Sequence, residues 1–190
     1  MKIADPNICA TCAKHGPTCC RLEPGQEEVC FPLSDMERDR ILDCSQNWKG
    51  AFAMQPNTGT FVDNLRKMFP ADRRLIRDMF PLTKYHIRLA TRDDGSCRLL
   101  GKSGCMLPVE ARPYYCRLFP FWVWNGKITV FDYKSCEARK QEDDVSGLLE
   151  LMGMTRSRVF ELHGRLRLAW GLPPKEGMPQ IIRPAKRKVT

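Results

Sequence analysis

Cys9-Ala-Thr-Cys12 is followed after six residues by the adjacent pair Cys19-Cys20. A C-x2-C pair on a tight turn brings two thiolates close enough to grip one ion, as zinc and iron–sulfur sites do. Neighbouring side chains in extended backbone point to opposite sides, so Cys19 and Cys20 seldom serve one ion together, and one of them is free for a second site or for redox chemistry. Cys97, Cys105, Cys116 and Cys136 form a second group without a further C-x2-C, which argues against a zinc ribbon built from two knuckles. Four thiolates around a divalent ion leave a net charge of about −2 to be offset. Arg112 and Arg117 flank Cys116 and are expected to offset that charge and favour the thiolate.

The chain has 10 cysteines in 190 residues, a density that in a reducing compartment points to metal rather than to disulfides. The opening MKIADPNICATC lacks the apolar core of a secretory signal, so a cytoplasmic location is expected. The longest apolar stretch, around Leu118 to Trp124, is far short of the ~20 residues that span a bilayer. Of the formal net charge of +9, much lies in Leu172 to Thr190, where Lys175, Arg183, Lys186, Arg187 and Lys188 face only Glu176. The predicted organisation is a cysteine-cluster domain over 1–171 and a basic, proline-rich tail over 172–190. No aromatic residue follows Trp170, so the tail offers no stacking surface and nucleic-acid binding is not expected.

The elements that must position the cysteines can be read in outline. Ser34 and Glu37 form a capping box ahead of a helix over Asp35 to Gln46. Apolar residues between Phe61 and Phe80 recur at helical spacing around Pro70, predicting two short amphipathic helices. Tyr85, Ile87 and Leu89 alternate with polar residues as a strand that enters a turn at Asp93-Asp94-Gly95. Asn125-Gly126 joins Phe121–Trp124 to Lys127–Asp132 as a hairpin, because Asn-Gly readily takes the positive φ of a type I′ turn. A helical pair follows over Asp143 to Met152 and Arg156 to Trp170, the second capped by Thr155 and stopped by Gly171 and Pro173-Pro174. The expected fold class is α+β, a small metal-stapled domain with short helices around a β-hairpin core and cysteine-rich loops.

The pattern C-x2-C-x6-CC with G-S-C-R-L-L-G-K-S-G-C-M-L-P-V-E-A-R-P-Y-Y-C-R-L-F-P-F downstream resembles the CxxCxxCC cysteine-cluster proteins, the YkgJ-like zinc- or iron-chelating domain family, from roughly Cys9 to Cys136. A similar segment occurs in flagellin lysine N-methylases, which are longer. The resemblance implies eight metal-binding cysteines, here Cys9, Cys12, Cys19, Cys20, Cys97, Cys105, Cys116 and Cys136. The six-residue spacer before Cys19, and the additional Cys30 and Cys44, depart from the family pattern. Those two thiols are assigned to packing or an accessory role. His15 reads as a polar loop residue, and His86 and His163 as surface or satisfied core residues. Tyr114, Tyr115, Phe119, Phe121, Trp122 and Trp124 suit either a water-excluding shell or an ordinary core, and Arg66, Lys67, Arg73, Arg74 and Arg77 suit a solvated helix face.

The expected function is metal binding, with iron held as an iron–sulfur cluster ahead of zinc, in electron transfer, metal handling or service to a partner enzyme. The two cysteine segments should then meet in space. A rival reading is a redox or protein-modifying enzyme using Cys19 or Cys20 near the metal. A third is a structural zinc module whose basic tail anchors nucleic acid. None of the nucleotide-binding or hydrolase motifs G-x-x-x-x-G-K-[ST], G-x-G-x-x-G, G-x-S-x-G or H-E-x-x-H occurs, and no small-molecule substrate is indicated. A protein partner is left open.

Overall fold

Short apolar stretches separated by glycine, proline and cysteine loops cannot build a large sheet, and the chain instead forms small antiparallel pairs held between helices. The computed structural model describes residues 5, 8–15, 18–44 and 46–174. In chain order the helices are α1 (Ile8–His15), α2 (Asp35–Cys44), α3 (Gly59–Met68), α4 (Arg73–Met79), α5 (Tyr114–Leu118), α6 (Glu137–Gln141), α7 (Val145–Leu151) and α8 (Arg156–Ala169). The strands are β1 (Phe52–Pro56), β2 (Tyr85–Leu89), β3 (Leu100–Gly101), β4 (Gly104–Cys105), β5 (Phe121–Trp124) and β6 (Lys127–Val130). They pair antiparallel as β1 with β2, β3 with β4 and β5 with β6. The fold is α+β. Among the described residues no helix is long and apolar enough to cross a membrane.

The main core lies where α8 crosses the β5–β6 hairpin. Val159, Leu162 and Leu166 of α8 pack with Leu118, Phe121 and Trp122, and with Phe61 and Leu65 of α3. A smaller cluster of Ile41, Ala51, Leu99, Leu107 and Ala111 lies beneath the downstream cysteine loops. Asn125 and Gly126 have φ of 48° and 73°, as the hairpin turn requires. Thr155 accepts a hydrogen bond from Arg158 N at the start of α8, and Gly171, at φ 74°, lets the chain leave its end. β1 is absent from the sequence-based outline; it pairs with β2 across the α3–α4 excursion. α2 ends at Cys44, short of Gln46, and a 3-10 turn over Gln46–Ala51 follows. Of the tail expected over 172–190, residues from 175 onward lie outside the described residues.

An Arg–Asp ion pair is sealed inside the fold. The Arg167 and Asp72 side chains are 1% and 6% exposed and pair at 2.6 Å, with Arg167 Nη2 also donating to Pro173 O at 2.8 Å. Removing one member of a buried pair strands the other charge, at a cost of about 3–5 kcal/mol. Arg167→Met is therefore expected to lower the denaturant midpoint sharply without changing the slope, whereas Arg165→Met, whose partner Glu161 is at the surface, should shift it little.

Candidate metal centre

The capping box does more than start α2. Ser34 N and Oγ donate to Glu37 Oε2 at 3.0 and 2.8 Å, and Glu37 Oε1 accepts from Tyr114 N at 2.8 Å, across 77 residues of sequence. The buried Glu37 carboxylate thus anchors the N-terminus of α5, the helix that carries Cys116. Cys9 and Cys12 lie on helix α1, one turn apart on a shared face, and not on the tight turn expected for C-x2-C. α1 packs on β4, the strand of Cys105, and on α6, whose N-cap is Cys136. Gly104 makes the first contact possible: at φ +100°, a Cβ there would sit 3.3 Å from Ala10 Cα.

Cys19 and Cys20 are tied to different neighbours. Cys97 N donates to Cys20 O at 2.7 Å, beside a bridge from Arg21 to Ser96. Gly95 permits this close approach, since a Cβ at that position would fall 1.9 Å from Leu22 O. On the other side, Tyr133 Oη donates to Thr18 O at 3.2 Å, and Cys136 N donates to Tyr133 O at 2.9 Å. The adjacent pair therefore spans the gap between the Cys97 loop and the Cys136 loop.

The result is one cavity of about 220 Å³ whose wall includes Cys9, Cys12, Cys19, Cys20, Cys97, Cys105, Cys116 and Cys136. Apolar Leu89, Leu99, Phe119 and Met152 complete much of the lining, with Tyr115 and Arg112. Cys30 and Cys44 do not line it, and all ten cysteines are free thiols. Cys9, Cys19 and Cys116 are accessible, and the surface they present belongs to the cavity wall. Among the described residues, no three His, Cys, Asp or Glu side chains stand together at the spacing a single bound ion needs.

The thiols oppose one another's ionisation. Burial, followed by Cys136, Cys20 and Cys12, pushes Cys9 up to about 11, with Arg112 opposing. Burial drives Cys97 to about 12, and Cys20 and Cys105 add to the rise. Cys116 is raised by burial and then by Cys20, Cys97 and Cys105, and Cys105 chiefly by burial. The hydrogen bond between the adjacent thiols raises Cys19 and lowers Cys20. Cation uptake by such a cavity releases the protons its thiols carry, and its donors are the soft sulfurs that zinc, copper(I) and iron–sulfur chemistry select.

Two arginines position the loops, and one of them carries no motif. Arg92 donates from Nη1 to Ser96 Oγ at 3.1 Å and Cys97 O at 2.9 Å, and from Nη2 to Arg98 O at 3.0 Å and Leu100 O at 3.1 Å. That guanidinium stitches the Cys97 loop into one shape. Arg112 Nε donates to Leu107 O at 3.0 Å, and Arg112 lowers Cys9, Cys20 and Cys105 as the expected counter-charge. Arg117 departs from that expectation: it is outside the cavity wall and faces Arg40 and Arg158. Of the aromatic run, Tyr115 and Phe119 line the cavity, Tyr114, Phe121 and Trp122 belong to the core, and Trp124 is exposed.

His86 and His163 stand apart from the cavity wall. His15 closes α1 and is not in a loop. His86 is buried, stacked 3.8 Å from Phe61 with Nδ1 2.9 Å from Asn57 Oδ1, and burial holds it near 4. His163 is buried against Phe69 and Trp122. No family model, no curated protein and no solved structure matches the chain.

Proposed function

We propose that the chain is a thiolate-ligated metal protein in which the two cysteine segments close around iron as iron–sulfur clusters, with zinc as the alternative metal. The observation that supports it is the shared cavity: the eight cysteines implied by the CxxCxxCC resemblance line it, while Cys30 and Cys44 stay outside. The volume of about 220 Å³ is far above the ~10–15 Å³ that admits one water, so the space suits a guest of several atoms. A single tetrahedral ion with ~2.3 Å bonds holds its sulfurs roughly 3.8 Å apart. A cluster holds its cysteines at separate iron corners, further from one another, which fits thiols that sense each other's charge without grouping at single-ion spacing.

In this reading Cys9, Cys12, Cys19 and Cys136 serve one side and Cys20, Cys97, Cys105 and Cys116 the other; the bond from Cys97 N to Cys20 O and the link from Thr18 O through Tyr133 to Cys136 support separating Cys19 from Cys20. In this reading Arg112 offsets the charge of the loaded site and the apolar wall keeps water from it. Loaded thiolates of this kind pass electrons or metal to a partner in a reducing compartment such as the cytoplasm.

Protein purified without oxygen, or reconstituted with iron and sulfide, should be brown, contain acid-labile sulfide and bleach with dithionite. A preparation that stays colourless while taking up stoichiometric zinc rejects the iron assignment. Rapid alkylation of Cys20 while metal remains bound would instead favour the enzyme reading; thiols protected until chelation support ligation.

A further inference from the structure

Beside the cavity, α2, α5 and α8 converge, and each contributes an arginine. Arg40 lies 4.4 Å above the Tyr114 ring and donates from Nη2 to Arg112 O at 3.1 Å; its Nε is buried without a partner. Arg117 follows Cys116, so about 100° of helical turn sets it off the cavity wall. Among the described residues its guanidinium donates only to Glu110 O, at a long 3.5 Å. Arg158 donates to Glu161, which also holds Arg165. Among the described residues neither Arg40 nor Arg117 has a carboxylate in ion-pair contact. On α3 and α4, Arg66 pairs with Asp63 and Arg74 with Asp78, while Arg73 and Arg77 have no ion pair among the described residues.

Burial and then the nearby charges of Arg158 and Arg40 oppose the charge on Arg117, a cost that negative charge brought from outside would relieve. The bonds of the three guanidiniums already go to separate acceptors, Arg112 O and Glu110 O in the loop before α5 and Glu161 on α8. That spread suits several carboxylates of one surface better than one small oxyanion. Exposed Met36, one turn before Arg40, and Val109, which is 51% exposed and also lines the cavity, add the apolar and arginine-rich character that binding surfaces favour.

We propose that Arg40, Arg117 and Arg158 form a docking face for an acidic protein surface, separated from the thiol cavity only by α5. Docking there would place a partner next to Cys116. That the partner exchanges electrons or metal with the cavity rests on the metal reading; the docking itself does not.

The test uses the full chain, both metal-free and loaded, with hexaglutamate as the probe, followed by calorimetry and by the arginine Nε–H resonances. Saturable binding at low salt is expected, weakening at about 0.15 M where the Debye length is ~8 Å, with the Arg40 and Arg117 resonances among those that move. Arg117→Gln with Arg158→Gln should weaken binding at least about tenfold, and Arg73→Gln with Arg77→Gln, which removes the same charge from exposed α4, less than about twofold. Unchanged circular dichroism and melting temperature in both pairs excludes misfolding as the cause. Equal losses in the two pairs, no saturable binding, or inorganic phosphate binding as tightly as the peptide would each overturn the docking face. Metal content, read separately on each sample, reports on the metal assignment alone.

Discussion

Serine at Cys20 is expected to remove about half of the bound iron, and serine at Cys19 the other half. The backbone geometry underlies this. Cys20 is bonded through its carbonyl to Cys97, which shares its electrostatic surroundings with Cys105 and Cys116. Cys19 follows Thr18, whose carbonyl is held by Tyr133 in the loop leading to Cys136, and Cys9 adds to the rise of Cys19. Serine nearly preserves shape while removing the soft donor, so one half-site should fail and the other persist. Paired variants sharpen the test because groups acting as one unit are not additive. Cys9→Ser with Cys19→Ser should cost no more metal than either alone, since both belong to one set; Cys9→Ser with Cys20→Ser should empty the protein. If each single variant empties the whole cavity, or the two pairs lose equal metal, the thiols serve one shared site and the division is wrong.

Local rules carried the sequence reading as far as single elements. The capping box at Ser34 and Glu37, the Asn125-Gly126 turn and the Thr155 cap each depend on residues within a few positions of one another, and each is present. What could not be read depends on partners far along the chain. Glu37 spends its second oxygen on Tyr114, and no sequence pattern marks an acceptor 77 residues from its donor. β1 has only five residues, ends on Pro56 and finds β2 after two helices, so nothing adjacent announces it. The knuckle analogy puts Cys9 and Cys12 on a turn, whereas Ala10, Ala13 and Lys14 around them are helix formers that favour α1. Arg92 binds carbonyls, a role open to any loop arginine, and was invisible for that reason. Sequence proximity to Cys116 suggests Arg117 as a counter-charge, but about 100° of helical turn sets it off the cavity wall.

Stripping the metal is expected to loosen the fold itself, and Cys116 should matter far more than Cys30. The strands beneath the downstream cysteines have two residues each, and the cluster supporting them consists of Ile41, Ala51, Leu99, Leu107 and Ala111. Such a region has little apolar area to offset chain entropy, whereas structural metal binding is coupled directly to folding. If binding contributes only about 5 kcal/mol of net stability, a chain of this size should lose about 10–20 °C of melting temperature on chelation. The loss should be concentrated in amides of the 95–107 and 18–24 loops, read by hydrogen exchange, while α8 and the β5–β6 hairpin stay protected by the main core. Cys116→Ser should reproduce much of this loss together with lower metal content, because Cys116 lines the cavity on a helix anchored by Glu37. Cys30 lies outside the wall, raised by burial and in contact with Arg88, so Cys30→Ser should leave metal content and loop protection nearly unchanged. Equal losses in the two variants would show that the cavity wall does not define the ligand set. A stripped protein that melts with the loaded one would show that the apolar clusters alone support the loops.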